Sequence, residues 1–380
     1  MPKERKNVIL QLQIMRSFLQ ILFTKPVLWL ANKFSSSPDM ERVHNALSKL
    51  YAVTIGVDNT KGIVLPLDLQ QSRFIILSDQ HKGAKDGSDD FRNAEKNYTQ
   101  ALSYYFDAGY HFISLGDCEE LWENLIWSVM AQNRISFEAE KKFVAARRFT
   151  KVFGNHDLFC KNDPLSAFYI KKMYGETVPV YEAVILQTIL EGNNTNFFLT
   201  HGHQGDGQSD GNPVSAWIVS RIWAPLQSYL NINPNTPAYH KEMKTTHNRF
   251  MYEWSKEANN PVLITGHTHQ PVFASLTHLE RLYKNLIAAE KENKQQLIEK
   301  LKKEIDFRRN EYEYVATNYM NMRPFYFNTG CCCYNDGDIT GIEIADGIIR
   351  LVKWKNNEPH SERMPLEEMD LLQLLMNNET

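Results

Sequence analysis

The chain lacks the features that would place it in a special class. Its five cysteines include no CxxC pair: Cys118 and Cys160 stand alone, and Cys331, Cys332 and Cys333 form a run. An odd count with that spacing argues against a disulfide framework and suits a reducing compartment, so the cytoplasm is the expected location. Charge is nearly balanced, with 42 Lys and Arg against 45 Asp and Glu. No basic excess therefore argues for nucleic acid or an anionic membrane as partner. No repeat of fixed period is visible, which removes solenoid architectures. A run of roughly 20 uncharged apolar residues, long enough to span a membrane, is also missing. The most apolar stretch, Val8 to Phe34, is interrupted by Gln11, Gln13, Arg16, Gln20, Lys25 and Pro26, and no small-residue cleavage site follows it. Two helices broken at Pro26 and packed on the core are expected there. An interfacial amphipathic helix is the alternative, and it leaves peripheral membrane contact open.

What is present is an ordinary globular composition, 43% hydrophobic and 23% charged, which supports a sizeable core. From Gln71 a motif recurs: an apolar run, a polar cluster, then a helix-like segment. Phe74 to Leu77 ends at Ser78, Asp79, Gln80 and His81, and a helix is expected over Phe91 to Ala108. Phe112 to Leu115 ends at Gly116 and Asp117; the run in "RRFTKVFGNHD" ends at Gly154, Asn155, His156 and Asp157. Phe197 to Thr200 ends at His201, Gly202 and His203, and Val262 to Thr265 ends at Gly266, His267, Thr268 and His269. Singly, each cluster is explained by helix caps and turns. Together they present carboxylate, imidazole and amide donors at five strand ends. In layered α/β architectures such ends converge on one crevice.

Two segments read as insertions. Pro213 to Asn260 carries Trp217, Trp223, Tyr229, Tyr239, Tyr252 and Trp254 and is expected to form a helical cap, with some of its aromatics turned to the crevice. Thr277 to Tyr314 mixes charges of both signs, as a solvated helix or hairpin does. The expected organisation is an N-terminal helical segment over 1–70 and a core over 71–275 that includes the cap at 213–260. A charged helical insertion over 276–318, closing strands over 319–356 and a C-terminal tail over 357–380 follow.

The ordered set Asp-x-His, Gly-Asp, Gly-Asn-His-Asp, His-Gly-His and Gly-His-Thr-His resembles the calcineurin-like metallophosphoesterase superfamily, over roughly Arg73 to Gln270 plus the closing strands. The resemblance implies an α/β fold, a four-layer α-β-β-α sandwich with helical insertions here, and two divalent metal ions at the loops. Carried over by position, Asp79, His81 and His269 would hold the first ion and Asn155, His201 and His267 the second, with Asp117 bridging. These donors suit Mn, Fe, Zn or Ni and need no thiolate, so the cysteines are expected outside the site, Cys331 to Cys333 as small buried residues in a strand. Such a pair would lower the pKa of a bridging water and hold the resulting hydroxide in line with a leaving group. His156 would act as general acid or stabilise the transition state, and Asp157 would orient it. His203 is open between substrate contact and structural support.

The implied activity is hydrolysis of a small-molecule phosphate ester, with no nucleic acid as partner. The long gap before the last block also resembles the UDP-diacylglucosamine pyrophosphatases, in which a helical cap receives acyl chains. That group has arginine where this chain has His156. A non-catalytic scaffold that keeps the fold is the other alternative; such members lose ligand positions, and here every one is filled.

Overall fold

The computed structural model describes residues 39–56, 61–86, 89–122, 124–205, 241–257, 261–308, 324–357 and 359–376. The expected helices of Val8 to Phe34 lie outside the described residues, as do Trp217, Trp223, Tyr229 and Tyr239 of the expected cap.

Helix α1 (Met40–Ile55) starts where the Asp39 side chain accepts from the Arg42 N–H, and it buries Val43, Leu47 and Leu50 along one stripe. Strands β1 (Gly62–Pro66) and β2 (Phe74–Leu77) precede α2 (Phe91–Asp107) and β3 (His111–Leu115). Next come α3 (Ile126–Gln132), α4 (Arg134–Ala145), β4 (Phe149–Val152), α5 (Phe159–Asn162) and α6 (Ser166–Tyr174). The short β5 (Val180–Tyr181) leads into the hairpin of β6 (Ala183–Leu190) and β7 (Asn193–Thr200). Helix α7 (Lys241–Ser255) is followed by β8 (Val262–Thr265), β9 (Val272–Phe273), β10 (Leu276–Thr277) and the pair α8 (His278–Lys291) and α9 (Gln295–Arg308). The chain closes with β11 (Tyr326–Asn328), β12 (Ile339–Ala345), β13 (Ile348–Lys355), β14 (Glu362–Asp370) and α10 (Leu371–Met376).

The strands form two seven-stranded sheets, ordered β14-β13-β12-β2-β3-β4-β5 and β1-β6-β7-β8-β11-β9-β10. Side-chain alternation sets the layers. Ile76, Ile113, Leu115 and Val152 of the first sheet meet Val184, Leu186, Phe197, Leu199 and Ile264 of the second. Their neighbours Ile75, Leu77 and Phe112 point the other way, onto Ala94, Tyr98 and Leu102 of α2. On the far side Ile185, Phe198 and Leu263 meet Leu47, Leu50, Met251 and Trp254 of α1 and α7. The result is the four-layer α-β-β-α sandwich, in which each such fully buried side chain contributes roughly 1.5–3 kcal/mol. Because β2, β3 and β4 are parallel to one another, and β7 and β8 likewise, their carboxyl ends gather at common edges of the sheets.

Several expectations need correction. The 1–70 segment is not wholly helical: β1 pairs in parallel with β6 and belongs to the core. The 357–380 stretch is not a tail, since β14 pairs antiparallel with β13, and Leu371, Leu374 and Leu375 of α10 close the core. Its charged side chains, Pro365 and a register shift mark an edge strand, which carries no apolar run to recognise. Helices α8 and α9 form a hairpin with a small core of their own, Leu279, Leu282, Ala289, Ile298, Leu301 and Ile305. Of the expected cap aromatics, Tyr252 and Trp254 are described, and both pack in the layer between α1 and the second sheet rather than in the crevice. No helix among the described residues is long and apolar enough to cross a membrane.

Candidate metal centre

Backbone hydrogen bonds tie the first strand-end loop to the second and the fourth to the fifth. The Asp79 N–H donates to Gly116 O (3.0 Å), the His81 N–H to Asp117 O (2.9 Å) and the Gly266 N–H to His201 O (2.9 Å). To make these turns, Asp79, His81, Asp117, His267 and His269 adopt φ of 54°, 49°, 50°, 68° and 56°. Such left-handed backbone in non-glycine residues is held only where surrounding contacts enforce it, and it clusters at functional sites.

Each carboxylate is half committed. Asp117 Oδ1 accepts the His156 N–H at 2.8 Å, which leaves Oδ2 3.0 Å from His201 Nε2. Asp79 Oδ2 accepts the His267 N–H at 3.0 Å and the Ser78 hydroxyl, which leaves Oδ1 3.1 Å from His269 Nε2. Three imidazoles are aimed from behind: His201 Nδ1 donates to Leu115 O (3.0 Å), His81 Nδ1 lies 2.9 Å from Glu120 Oε2, and His269 Nδ1 faces Cys333 Sγ at 3.9 Å. Fixing Nδ1 turns Nε2 toward the crevice. Asp117, His201 and His267 bring donor atoms within 4.8 Å of one another, as do His81, Asp117 and His156, and His81, His269 and Cys333. Asn155 Oδ1 and His267 Nε2 are buried with no hydrogen-bond partner, and among the described residues Asp79 Oδ1 and His201 Nε2 face only other members of the set. Buried polar atoms are rarely left so, and donors of these types fit a divalent cation of the Mn, Fe, Ni or Zn kind.

His156 sits beside this group, with its ring stacked on Trp122 at 4.0 Å and 17° and its Nδ1 2.7 Å from Glu120 Oε2. The expected partner, Asp157, does not reach it. Asp157 instead accepts the backbone N–H groups of Gly154 and Cys118, bracing the loop from beneath. Glu120 takes the orienting role and is shared between His156 and His81. Its place four residues after Gly116 was the available signal. His203 is buried, its ring 5.5 Å from that of His201 and 6.0 Å from Phe153, and its Nδ1 has no hydrogen-bond partner. The cysteine run also departs from expectation. Cys331 to Cys333 are buried, but they lie in the loop after β11 rather than in a strand, because the Cys332 N–H bonds to Asp79 O at 3.1 Å. Cys333 thereby stands against a site histidine rather than outside the site.

Charge follows the geometry. Burial opposes ionisation of Asp117, yet His201 and His156 beside it hold its carboxyl well below the usual range. Burial likewise opposes a charged His201, but Asp117 and Asp79 pull it up to about 9. His267 is pushed well below the ordinary histidine value by burial and by His201 and His247, and His203 falls to about 3 by burial and His201. The crevice combines anionic carboxylates with a neutral His267 and a charged His201, whose proton a bound cation would displace.

Beneath the loops lies a charge network absent from the sequence expectations. Lys151 Nζ is 2.9 Å from Glu119 Oε2, and Lys82 Nζ is 2.9 Å from Glu140 Oε1, all four side chains being fully buried. Tyr98 and Tyr174 donate to the two oxygens of Glu140 at 2.8 and 2.9 Å. A lysine in the middle of the apolar run β4 was its only sequence trace.

The family model for calcineurin-like phosphoesterases matches residues 72–271. Among solved structures the chain is similar to Vacuolar Protein Sorting 29 from Cryptosporidium parvum, with a TM-score of 0.32 and 12% identity over 79% of this chain and 98% of that one. A single mutant of Vps29 from Entamoeba histolytica gives a TM-score of 0.28 and 13% identity over 78% and 99%. No curated protein matches the chain. With more than half of its length covered by that model and the strand-end donors gathered in one crevice, the chain belongs to the calcineurin-like phosphoesterase family.

Proposed function

We propose that the protein is a phosphoesterase that works with two divalent metal ions. Asp79, His81 and His269 would hold one ion, Asn155, His201 and His267 the other, and Asp117 both. The observation that carries this reading is the convergence of buried donors, with Asp117, His201 and His267 atoms within 4.8 Å of one another and Asp79 Oδ1 4.0 Å from His201 Nε2, while Asn155 Oδ1 and His267 Nε2 have no hydrogen-bond partner. When bound, such a pair of ions activates water and neutralises phosphate oxygens.

The chain's own residues supply the rest. With Nδ1 turned to Glu120, His156 offers Nε2 to the leaving oxygen, as proton donor or hydrogen-bond donor in the transition state. Glu120 orients the ring and would stabilise the doubly protonated form that donation from Nε2 requires, and the stacked Trp122 limits its rotation while its indole N–H donates to Asn155 O at 2.7 Å. The backbone N–H of His156 on Asp117 links the proton donor to the shared ligand.

Elemental analysis and hydrolysis of p-nitrophenyl phosphate test the assignment. Asp117→Asn should lose metal and turnover together, whereas His156→Gln should retain both ions and lose turnover. Protein that binds no divalent ion and is not activated by Mn, Fe, Zn or Ni refutes the proposal. Two bound ions with no hydrolysis across phosphomonoesters, cyclic nucleotides, nucleotide sugars, lipid phosphates and phosphopeptides would make the chain a binding module instead.

A further inference from the structure

Helix α7 precedes the last strand-end cluster, and two adjacent residues on it reach two of the metal loops at once. His247, 1% exposed, donates from Nε2 to Gly202 O at 2.7 Å, in the loop that carries His201. Asn248, 8% exposed, accepts from Thr268 Oγ1 at 3.1 Å and from the Tyr326 hydroxyl at 2.8 Å, and donates to Gln270 Oε1 at 2.9 Å. Thr268 and Gln270 flank His269 and follow His267, so Asn248 grips the loop of the fifth cluster.

His267 is the member of the ligand set that most needs such support. His81, His201 and His269 each have a group behind Nδ1; among the described residues nothing hydrogen-bonds the His267 ring. Its orientation is left to packing. The His201 ring stands 5.2 Å from it at 71°, and the His247 ring 5.2 Å from it at 66°. The backbone of His267 is itself in the left-handed region, at φ 68°, a conformation that persists only under outside restraint.

We infer that His247 and Asn248 are positioning residues for the second metal ion, holding the His267 ring and its loop in ligating geometry from the helix outside the five strand-end clusters. This rests on the dinuclear reading above. Outer partners of metal ligands typically govern affinity by 10–100-fold.

The test uses full-length protein stripped of metal and titrated with Mn²⁺ alone, followed by calorimetry and electron paramagnetic resonance. Wild type should fill two sites and give the exchange-coupled spectrum of a manganese pair. His247→Ala and Asn248→Ala should bind the first ion as wild type does and the second roughly 10–100-fold more weakly, giving an uncoupled mononuclear spectrum at concentrations that pair the wild type. His247→Gln keeps a donor for Gly202 and should recover part of the loss. If the alanine variants lose only thermal stability and keep both affinities and the coupled spectrum, the inference is overturned. Should either alanine variant fail to fold, the same comparison on His247→Gln and Asn248→Thr decides: unchanged second-ion affinity in both overturns it. A wild type that never takes up a second ion overturns the dinuclear reading first and this inference with it.

Discussion

Gly154 is the most exacting position in the centre, and adding one methyl group there tests the arrangement directly. A Cβ built on Gly154 would stand 2.6 Å from Asp117 N and 2.7 Å from His201 Cδ2, and closer still to Asp117 Oδ1. Ordinary heavy-atom contacts lie at about 3.5–4.0 Å, so these atoms would have to retreat by roughly 1 Å. The Asp117 backbone cannot do so freely, because its carbonyl accepts the His81 N–H and β3 is hydrogen-bonded on both sides. The carboxylate and the His201 ring must therefore move. Metal sites tolerate ligand displacements of only about 0.2 Å. Gly154→Ala should consequently lower the affinity for both ions, since Asp117 is shared, at an overpacking cost to stability of roughly 1–3 kcal/mol. Gly192→Ala serves as the control: its φ of 86° is unfavourable for alanine, but an added Cβ there meets nothing within 4 Å, so it should lose some stability and keep its metals. The assay is metal stoichiometry on purified protein together with thermal melting by circular dichroism. Gly154→Ala that is folded, holds two ions with wild-type affinity and turns over normally would refute the placement of Asp117 between the ions.

Other perturbations reach different parts of the structure. Lys151→Met leaves Glu119 buried with only Lys82 at 3.5 Å and should cost roughly 3–5 kcal/mol in urea unfolding, while Lys151→Met/Glu119→Leu should recover much of it; equal losses in both would contradict the network. His111, whose ring bonds Thr150 Oγ1 at 2.8 Å, has its pKa lowered to about 4 by burial and by Arg148, so the unfolded chain takes up its proton first as pH falls. Stability should drop by roughly 2–3 kcal/mol between about pH 7 and 4 on this account, and His111→Gln should flatten that limb; parallel melting curves for the two proteins would sink the prediction. Glu120→Gln should reduce turnover on esters with poor leaving groups more than on p-nitrophenyl phosphate, and an equal loss on both would remove Glu120 from proton transfer.

What the sequence disclosed depended on distance along the chain. The strands at Phe74–Leu77 and Val262–Thr265 and the donors just after them were legible, because a buried apolar run and the loop that ends it are one local signal. Asp157 was misassigned because adjacency to His156 said nothing about direction: the carboxylate turns under the loop to Gly154 and Cys118, and Glu120, 36 positions earlier on another strand end, occupies the place beside the ring. The same limit hid His247 and Asn248. They fall within a segment whose aromatic content suggested a cap, yet its described helix packs Trp254 into the core and presents two polar residues to the metal loops.

The support is also reciprocal, and that determines how the centre should fail. Asp117 is held by the His156 N–H, and the Asp117 carbonyl holds His81; Asp79 is held by the His267 N–H, and the Asp79 carbonyl holds Cys332. No loop in this cycle is bounded only by its own turn. Five of the seven proposed ligands sit at positive φ, where each costs of order 1–3 kcal/mol unless its surroundings impose it. Strain of that size at five positions approaches the whole stability of an ordinary domain, so the loops can keep this shape only together. Displacing one loop of the cycle, by Gly266→Ala for example, whose added Cβ would stand 2.7 Å from Ser78 Cβ and press on Asp79 Oδ2, should therefore relax neighbouring loops as well as its own. Amide hydrogen exchange would register it: the Asp79, His81 and His267 amides should lose protection jointly, and loss confined to the mutated loop would show that the five ends are independent.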